Sequence, residues 1–258
     1  MAGVTKLRTE LMTSREKFLE WTHALDERHL SELTVSEAAR ALRALSSCYV
    51  ERRDKLAKGD ALGSAGKRAA FALFYAPLHF LVTRAVVQSL GSADVTRIVD
   101  LGCGTGAAGA AWALEAGSVP IVGFDVHPWA VAEASWTYQT LGLRGSARRA
   151  DVARLRLRAE RGSGVIAAYT VNELKPDART ALLPQLIDAG RRGSRILVLE
   201  PISRRVAPWW REWEEAFAAA GGRGDEWRFP AALPERQAQL ARAAGLDPKE
   251  LTGRTLYL

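Results

Sequence analysis

Cysteine is nearly absent from this chain, with Cys48 and Cys103 the only two in 258 residues. Two thiols build neither a disulfide framework nor a four-cysteine metal site. Long apolar runs are also missing. The longest, from Phe71 to Val82, is interrupted by Pro77 and His79, and it falls short of the roughly 20 apolar residues that span a bilayer. The first residues carry Lys6, Arg8 and Glu10 where a secretion signal would need an apolar segment and a small-residue cleavage site. The expectation is therefore a cytoplasmic protein with no membrane partner. No internal repeat or long low-complexity tract is evident. No His/Asp/Glu group has metal-ligand spacing, so no metal is expected.

A hydrophobic fraction of 48% and a charged fraction of 25% are ordinary for a soluble globular chain. The length suits one large α/β domain, or a medium one with a helical extension. Net charge is +7, with a sequence pI near 9.7 and arginine supplying most of the excess. Such a surface attracts phosphate, which makes RNA a candidate partner. A genome rich in arginine codons would give the same surplus, and charge alone does not choose between the two.

Residues 1–90 read as helical throughout. Residues 14–29 place Phe18, Leu19, Trp21 and Leu25 at roughly helical spacing, with Leu30 just beyond. Ser36 reads as the cap of a second helix, residues 37–49, with Ala41, Leu42, Leu45 and Tyr49 on one face. Residues 58–66 form a glycine-rich break. A third, strongly apolar segment covers residues 67–90, punctuated by Pro77. From residue 91 to 258 the pattern alternates strands (98–101, 121–124, 165–169, 196–199) with helices (105–116, 128–141, 177–189), followed by helices at 209–220 and 234–244 and a strand at 255–258. Such alternation predicts an α/β fold, a doubly wound and mostly parallel seven-stranded sheet with helices on both faces. The last strand is expected to close the sheet as an antiparallel edge. The helical first 90 residues would form an extension or lid over that domain.

The chemistry is concentrated at strand ends. Asp100-Leu-Gly-Cys-Gly-Thr-Gly106 places three glycines between a strand and a helix, where the backbone can turn sharply and approach a ligand. Nicotinamide and flavin enzymes use similar loops. The preceding Asp100 suits the ammonium of a methionine moiety better than a pyrophosphate. About twenty residues on, Asp125 ends the second strand, where an acid accepts from both hydroxyls of a ribose; the alternative is a helix cap before Pro128. Val126 and His127 would flank the adenine or ribose, although His127 is equally a solvated turn residue. Asp151 could accept from an adenine amino group while the Val152 amide donates to a ring nitrogen; otherwise Asp151 is a surface acid. These residues with Leu101, Gly102, Cys103, Gly104 and Gly106 form the expected site for S-adenosylmethionine.

Ala168-Tyr-Thr-Val-Asn-Glu-Leu174 follows the strand beside the crevice. Tyr169 could shape the sulfonium pocket, and Asn172 and Glu173 could orient an acceptor or take its proton. Helix capping is as good a reading of Asn172. Methyl transfer is an in-line displacement that gains mainly from positioning, so no dedicated nucleophile is required. Loop, ribose acid, third-strand acid and post-strand motif, in this order, resemble the class I S-adenosylmethionine-dependent methyltransferases over residues 95–258. A closer resemblance is to the small-ribosomal-subunit methyltransferase-like family that includes mitochondrial ribosome-assembly members. It rests on Ala168-Tyr-Thr-Val-Asn-Glu-Leu174, on Leu199-Glu-Pro201, and on Tyr75-Ala-Pro77 leading into the sheet. That family carries cysteines, some proposed as iron–sulfur ligands, where this chain has Trp227-Arg-Phe229; no cluster is expected here.

The resemblance implies a methyltransferase whose product is S-adenosylhomocysteine and whose acceptor is RNA or a ribosomal component. The alternatives are a small, perhaps aromatic acceptor with the N-terminal helices as lid, or a non-catalytic cofactor-binding assembly factor. A nicotinamide oxidoreductase is a remote fourth. No Asn/Asp-Pro-Pro-Tyr/Phe motif follows the fourth strand, against adenine amino methylation, and no Pro-Cys pair is present for attack on a pyrimidine. Arg144, Arg148, Arg149, Arg154, Arg156, Arg158 and Arg161 could grip a phosphate backbone or simply solvate an open sheet edge. Trp209, Trp210 and Trp213 could stack on an aromatic group, although packing on the sheet is the commoner use of such spacing.

Overall fold

The computed structural model describes residues 12–31, 33–51, 62–202 and 207–258, without the side chains of residues 47–51. Lys6, Arg8, Glu10, the side chains of Cys48 and Tyr49, and residues 58–61 of the glycine-rich stretch lie outside this description.

Helix α1 (Ser14–His29) starts at a reciprocal cap in which the Thr13 hydroxyl accepts from the Glu16 amide while the Glu16 carboxylate accepts from the Thr13 amide. It buries Phe18, Trp21 and Leu25. In α2 (Val35–Glu51) the cap is Thr34, not Ser36. The Glu37 carboxylate accepts from the Thr34 amide at 2.8 Å and the Thr34 hydroxyl accepts from the Glu37 amide at 3.2 Å. Ser36 lies inside the first turn, where it cannot reach an orphan amide in this way.

The next helix runs from Ala65 to Leu90 in three pieces: α3 (Ala65–Ala70), a π-helical turn (Phe71–Tyr75) and α4 (Ala76–Leu90). Pro77 does not break it. With no N–H to donate, the proline sits in the first turn of α4, directly after the wide π turn. This helix is longer than the apolar run read from the sequence and, by length and composition, could cross a membrane; two thirds of its most apolar window is buried inside the fold. Phe80 explains much of that burial, stacking on Phe18 at 4.7 Å and tilting against Trp21 at 5.7 Å. Each such side chain removed from water contributes about 1.5–3 kcal/mol.

Seven strands follow: β1 (Arg97–Leu101), β2 (Ile121–Asp125), β3 (Gly145–Arg149), β4 (Ser163–Ala168), β5 (Arg195–Glu200), β6 (Arg223–Pro230) and β7 (Glu250–Tyr257). Between them lie α5 (Ala107–Glu115), α6 (Pro128–Thr140), a 3-10 turn (Val171–Glu173), α7 (Pro176–Arg191), α8 (Trp210–Ala219) and α9 (Glu235–Ala243). They form one sheet in the order β3-β2-β1-β4-β5-β7-β6. β1 to β5 are parallel, whereas β7 runs antiparallel to both β5 and β6. This is the doubly wound, mostly parallel seven-stranded sheet expected.

The edge differs from expectation. β7 lies second from the edge, and β6, absent from the sequence reading, is outermost. Its sequence Arg-Gly-Asp-Glu-Trp-Arg-Phe-Pro hides a strand because its half-buried face holds Asp225 as well as Trp227 and Phe229. Where the resembling family has cysteines, Trp227 and Phe229 stack on each other at 6.0 Å and pack against the core.

Alternation along the strands divides the interior. Ile98, Ile121, Ile166, Leu197 and Leu199 face a core shared with Phe18, Trp21, Leu42, Leu73 and Phe80 of the N-terminal helices. Val99, Val165, Val198, Trp213 and Phe217 fill the other side. Successive strands are added in one direction from β1 to β3 and in the other from β4 on, so a crevice opens beyond the carboxyl ends of β1 and β4.

Candidate functional site

β1 delivers the buried Leu101 into the glycine loop. Gly102, Gly104 and Gly106 have φ of 67°, 52° and 79°, the left-handed region. A Cβ on Gly102 would lie 2.4 Å from the Thr170 side chain, and one on Gly106 would lie 2.6 Å from the Tyr138 ring. Gly104 differs, since a Cβ there would meet only the Phe71 ring, at 3.9 Å. Packing thus demands two of the glycines, while the third leaves a clear cradle.

Asp125, at the end of β2, clamps that cradle. One carboxylate oxygen accepts from the Gly104 amide at 2.9 Å and the other from the His127 amide at 2.8 Å. Each oxygen keeps a further acceptor site. The cap of α6 is His127, whose Nδ1 accepts from the Trp129 amide at 3.2 Å. Val126 beside it is 56% exposed, unusual for so apolar a side chain. Asp100 points under α5, where it is 1% exposed and accepts from the Gly109 amide at 3.2 Å. Burial lifts its pKa to about 7. Burial likewise pushes up the Cys103 thiol and the Tyr138 phenol nearby.

At the end of β3, the Ala150 amide donates to the Asp125 carbonyl at 2.9 Å, bringing Asp151 alongside the β2 end. Asp151 is exposed and accepts from the Ala153 amide at 2.9 Å, while Val152 turns into the core.

The end of β4 carries the most constrained geometry. Tyr169 is a non-glycine residue at φ 56°, a conformation that costs on the order of 1 kcal/mol or more. Its amide donates to the Leu199 carbonyl at 2.7 Å, and its ring stacks on His79 at 3.9 Å and 16°. The Thr170 hydroxyl lies within 3.2 Å of the carbonyls of Leu101, Gly102 and Ala168, joining the ends of β1 and β4. Asn172 does not cap a helix. Its amide and side-chain nitrogen donate to the two Glu200 oxygens at 3.0 and 2.7 Å, and its side-chain oxygen accepts from Trp209 Nε1 at 3.0 Å. Glu173 is exposed. Trp209 and Trp213 are both buried, 7% and 1% exposed, in keeping with the packing role.

Two sets of residues escaped the sequence reading. Glu200, fully buried at the end of β5, appeared there only within a resemblance; the signal was an acid ending the apolar run Arg195-Ile-Leu-Val-Leu-Glu200. Burial raises its pKa to about 8, against the lowering effect of the Asn172 amide and the Arg254 charge, with Glu173 adding to the rise. Phe71, Tyr75 and His79 form the second set. Their i, i+4 spacing is that of a core-facing stripe, yet all three remain half-buried beside the crevice.

Residues 98–193 match the family described as methyltransferase domain. Over this stretch the chain is similar to a methyltransferase domain. The fold agrees with that of the methyltransferase domain of a bacterial protein, CtHen1, at 15% identity and TM-score 0.50 over 70% of this chain and 98% of that one. A TehB-like S-adenosylmethionine-dependent methyltransferase from Corynebacterium glutamicum is 15% identical, covering 68% and 86% of the two chains with a TM-score of 0.45. Magnesium protoporphyrin IX methyltransferase from Synechocystis, solved with its cofactor bound, gives 15%, 69%, 79% and 0.46 for the same measures. No curated protein matches the chain closely enough to count as a relative. Among the described residues no group of three His, Cys, Asp or Glu side chains could hold a metal ion.

Proposed function

We propose that this protein is an S-adenosylmethionine-dependent methyltransferase that acts by direct in-line transfer on RNA or a ribosomal component, releasing S-adenosylhomocysteine. The observation that carries the cofactor site is the clamp between Gly104 and Asp125, which couples an open glycine cradle to an acid with spare acceptor capacity. The cradle fits the group, because Gly104 has no atom within 3.9 Å of where a side chain would begin. In this reading Leu101, Gly102, Cys103, Gly104 and Gly106 shape the loop around the methionine portion. Asp100 supports that loop from beneath through Gly109. Asp125 accepts from the ribose, Val126 and His127 border it, and Asp151 and Val152 hold the adenine end.

The cofactor supplies an electrophilic methyl group on a positively charged sulfur. Tyr169 lies at that end of the crevice, and Asn172 and Glu173 face the acceptor. Asn172 is held on both sides by Glu200 and Trp209, so its remaining N–H has a fixed direction. A fixed donor favours one acceptor geometry, the main source of rate in a displacement of this kind. Glu173, exposed on the 3-10 turn, is placed to receive the acceptor's proton.

RNA as acceptor is supported by the arginine edge. All seven arginines from Arg144 to Arg161 are exposed, and among the described residues only Arg154 has an acidic partner in ion-pair range, Asp151 at 3.6 Å. Arg154, Arg156 and Arg192 also line an open cavity of about 430 Å³. A second reading, a small acceptor under a helical lid, draws on the placement of Phe71, Tyr75 and His79 above the loop. Radiolabelled methyl transfer to cell extract, fractionated into RNA, protein and small molecules, separates the two. Label in RNA supports the first reading; label confined to small molecules replaces it with the second.

A further inference from the structure

Four rings cluster along the crevice. The centroids of Phe71, Tyr75 and His79 lie 5.9–6.2 Å from one another, and His79 stacks on Tyr169 at 3.9 Å. Phe71 lies beside the open face of Gly104, its Cε1 and Cζ 3.9 Å from where a Cβ would stand, and Tyr169 follows the carboxyl end of β4. The cluster therefore spans the gap between the glycine loop and the strand end where acceptor and methyl group meet.

Two costly backbone features hold these rings in place. Phe71 and Tyr75 are the first and last residues of the π-helical turn, a form rare in proteins and frequent at functional sites. Tyr169 occupies the left-handed region without being glycine. All four rings keep part of their area exposed, although the π turn buries Ala72, Leu73 and Phe74 between Phe71 and Tyr75. The cluster is also uncharged. Burial holds His79 neutral, with its pKa near 3, and raises the Tyr75 and Tyr169 phenols.

We propose that this ring cluster recognises the positive sulfonium of the cofactor, so that the protein holds the charged methyl donor more tightly than the neutral thioether product. The inference rests on the cofactor site proposed above. Ring faces attract a cation within about 6 Å of their centroids through their quadrupole, and a neutral thioether gains nothing from that term. A carboxylate would attract the sulfonium more strongly, but it is itself a nucleophile toward an activated methyl group. Aromatic carbon is not, so a wall of rings stabilises the donor without competing for its methyl. The neutral imidazole fits the same purpose, because a protonated one would repel the sulfonium.

Calorimetric titration of the full chain, with no acceptor present, tests this using S-adenosylmethionine and S-adenosylhomocysteine as separate ligands. The wild type is expected to prefer the sulfonium form by about tenfold, a size within the range of desolvated cation–ring contacts. Phe71→Leu with Tyr75→Leu keeps apolar bulk and removes the ring faces, and should erase that preference by weakening the donor alone. Phe71→Tyr with Tyr75→Phe keeps the rings and should retain it. Equal weakening of both ligands in the leucine variant, or an unchanged preference, overturns the proposal, and a leucine variant that fails to fold leaves the wild-type preference and the ring-keeping variant to decide it. A wild type that binds neither ligand overturns the cofactor site itself, whereas one that binds both equally overturns only the role of the rings.

Discussion

The two walls of the crevice are built from opposite materials. One is acidic and comes from strand ends, with Asp100, Asp125 and Glu200 at the ends of β1, β2 and β5 and Asp151 just beyond β3. The other is aromatic and comes from the helix before the sheet, with Phe71, Tyr75 and His79 reaching toward Tyr169. Burial acts on both and moves them in opposite directions in pH. It raises Asp100 to about 7 and Glu200 to about 8, and it lowers His79 to about 3. In each case the neutral form is the favoured one. The aromatic side is thus left free of charge.

The largest effect should come from the acidic wall, at the glycines that seat it. Gly102→Val places a branched side chain at φ 67° and 2.4 Å from Thr170, so it should destabilise the fold by about 3 kcal/mol or more. Gly104→Phe has open space before it, so beyond roughly 1 kcal/mol for a side chain at φ 52° it should leave the fold intact while abolishing cofactor binding. Thermal unfolding and calorimetry on the same two variants check this. Equal loss of stability in both would remove the distinction between a packed and an open glycine.

Asp125 comes next. Asp125→Asn replaces one accepting oxygen by a donor, which cannot satisfy both the Gly104 and His127 amides. Loss of a charge-assisted bond costs about 1.5–3 kcal/mol. Cofactor affinity should fall by roughly ten- to a hundredfold, while the lost backbone bond lowers the unfolding temperature by only several degrees. If affinity held while stability collapsed, Asp125 would be a loop clamp alone.

The acidic wall was legible in the sequence because each of its aspartates is local to a strand end. Asp100 sits beside the glycines and Asp125 beside Pro128, so period and turn chemistry found them together. Glu200 was read only through a resemblance, since its partner Asn172 lies 28 residues away and only the register of β4 against β5 joins them. The aromatic wall was less visible still. Phe71, Tyr75 and His79 have the spacing of a core-facing stripe, and nothing local marks the π turn that swings them toward a loop thirty residues on. β6 was missed for a related reason. Its charges obscure the alternation, and β7, on which it pairs over its whole length, comes afterwards.

The smallest effect is a pH slope, and it distinguishes the walls by sign. Glu200 has a folded pKa near 8 against an ordinary 4.5. Between those values the folded state holds a proton that the unfolded chain has released, so this contribution to stability declines as pH rises from 4.5 to 8. His79 has a folded pKa near 3 against 6.5. There the unfolded chain holds the extra proton, so its contribution grows as pH rises from 3 to 6.5 and is lost in acid. Relative to wild type, Glu200→Gln should therefore gain in unfolding temperature as pH is raised toward 8. His79→Phe should gain as pH is lowered toward 4. Shifts on the order of a few degrees are expected for a chain of this size. Slopes of the same sign in both variants would mean that one of these groups is not held neutral, and the division between an acidic and an uncharged aromatic wall would fail at that residue.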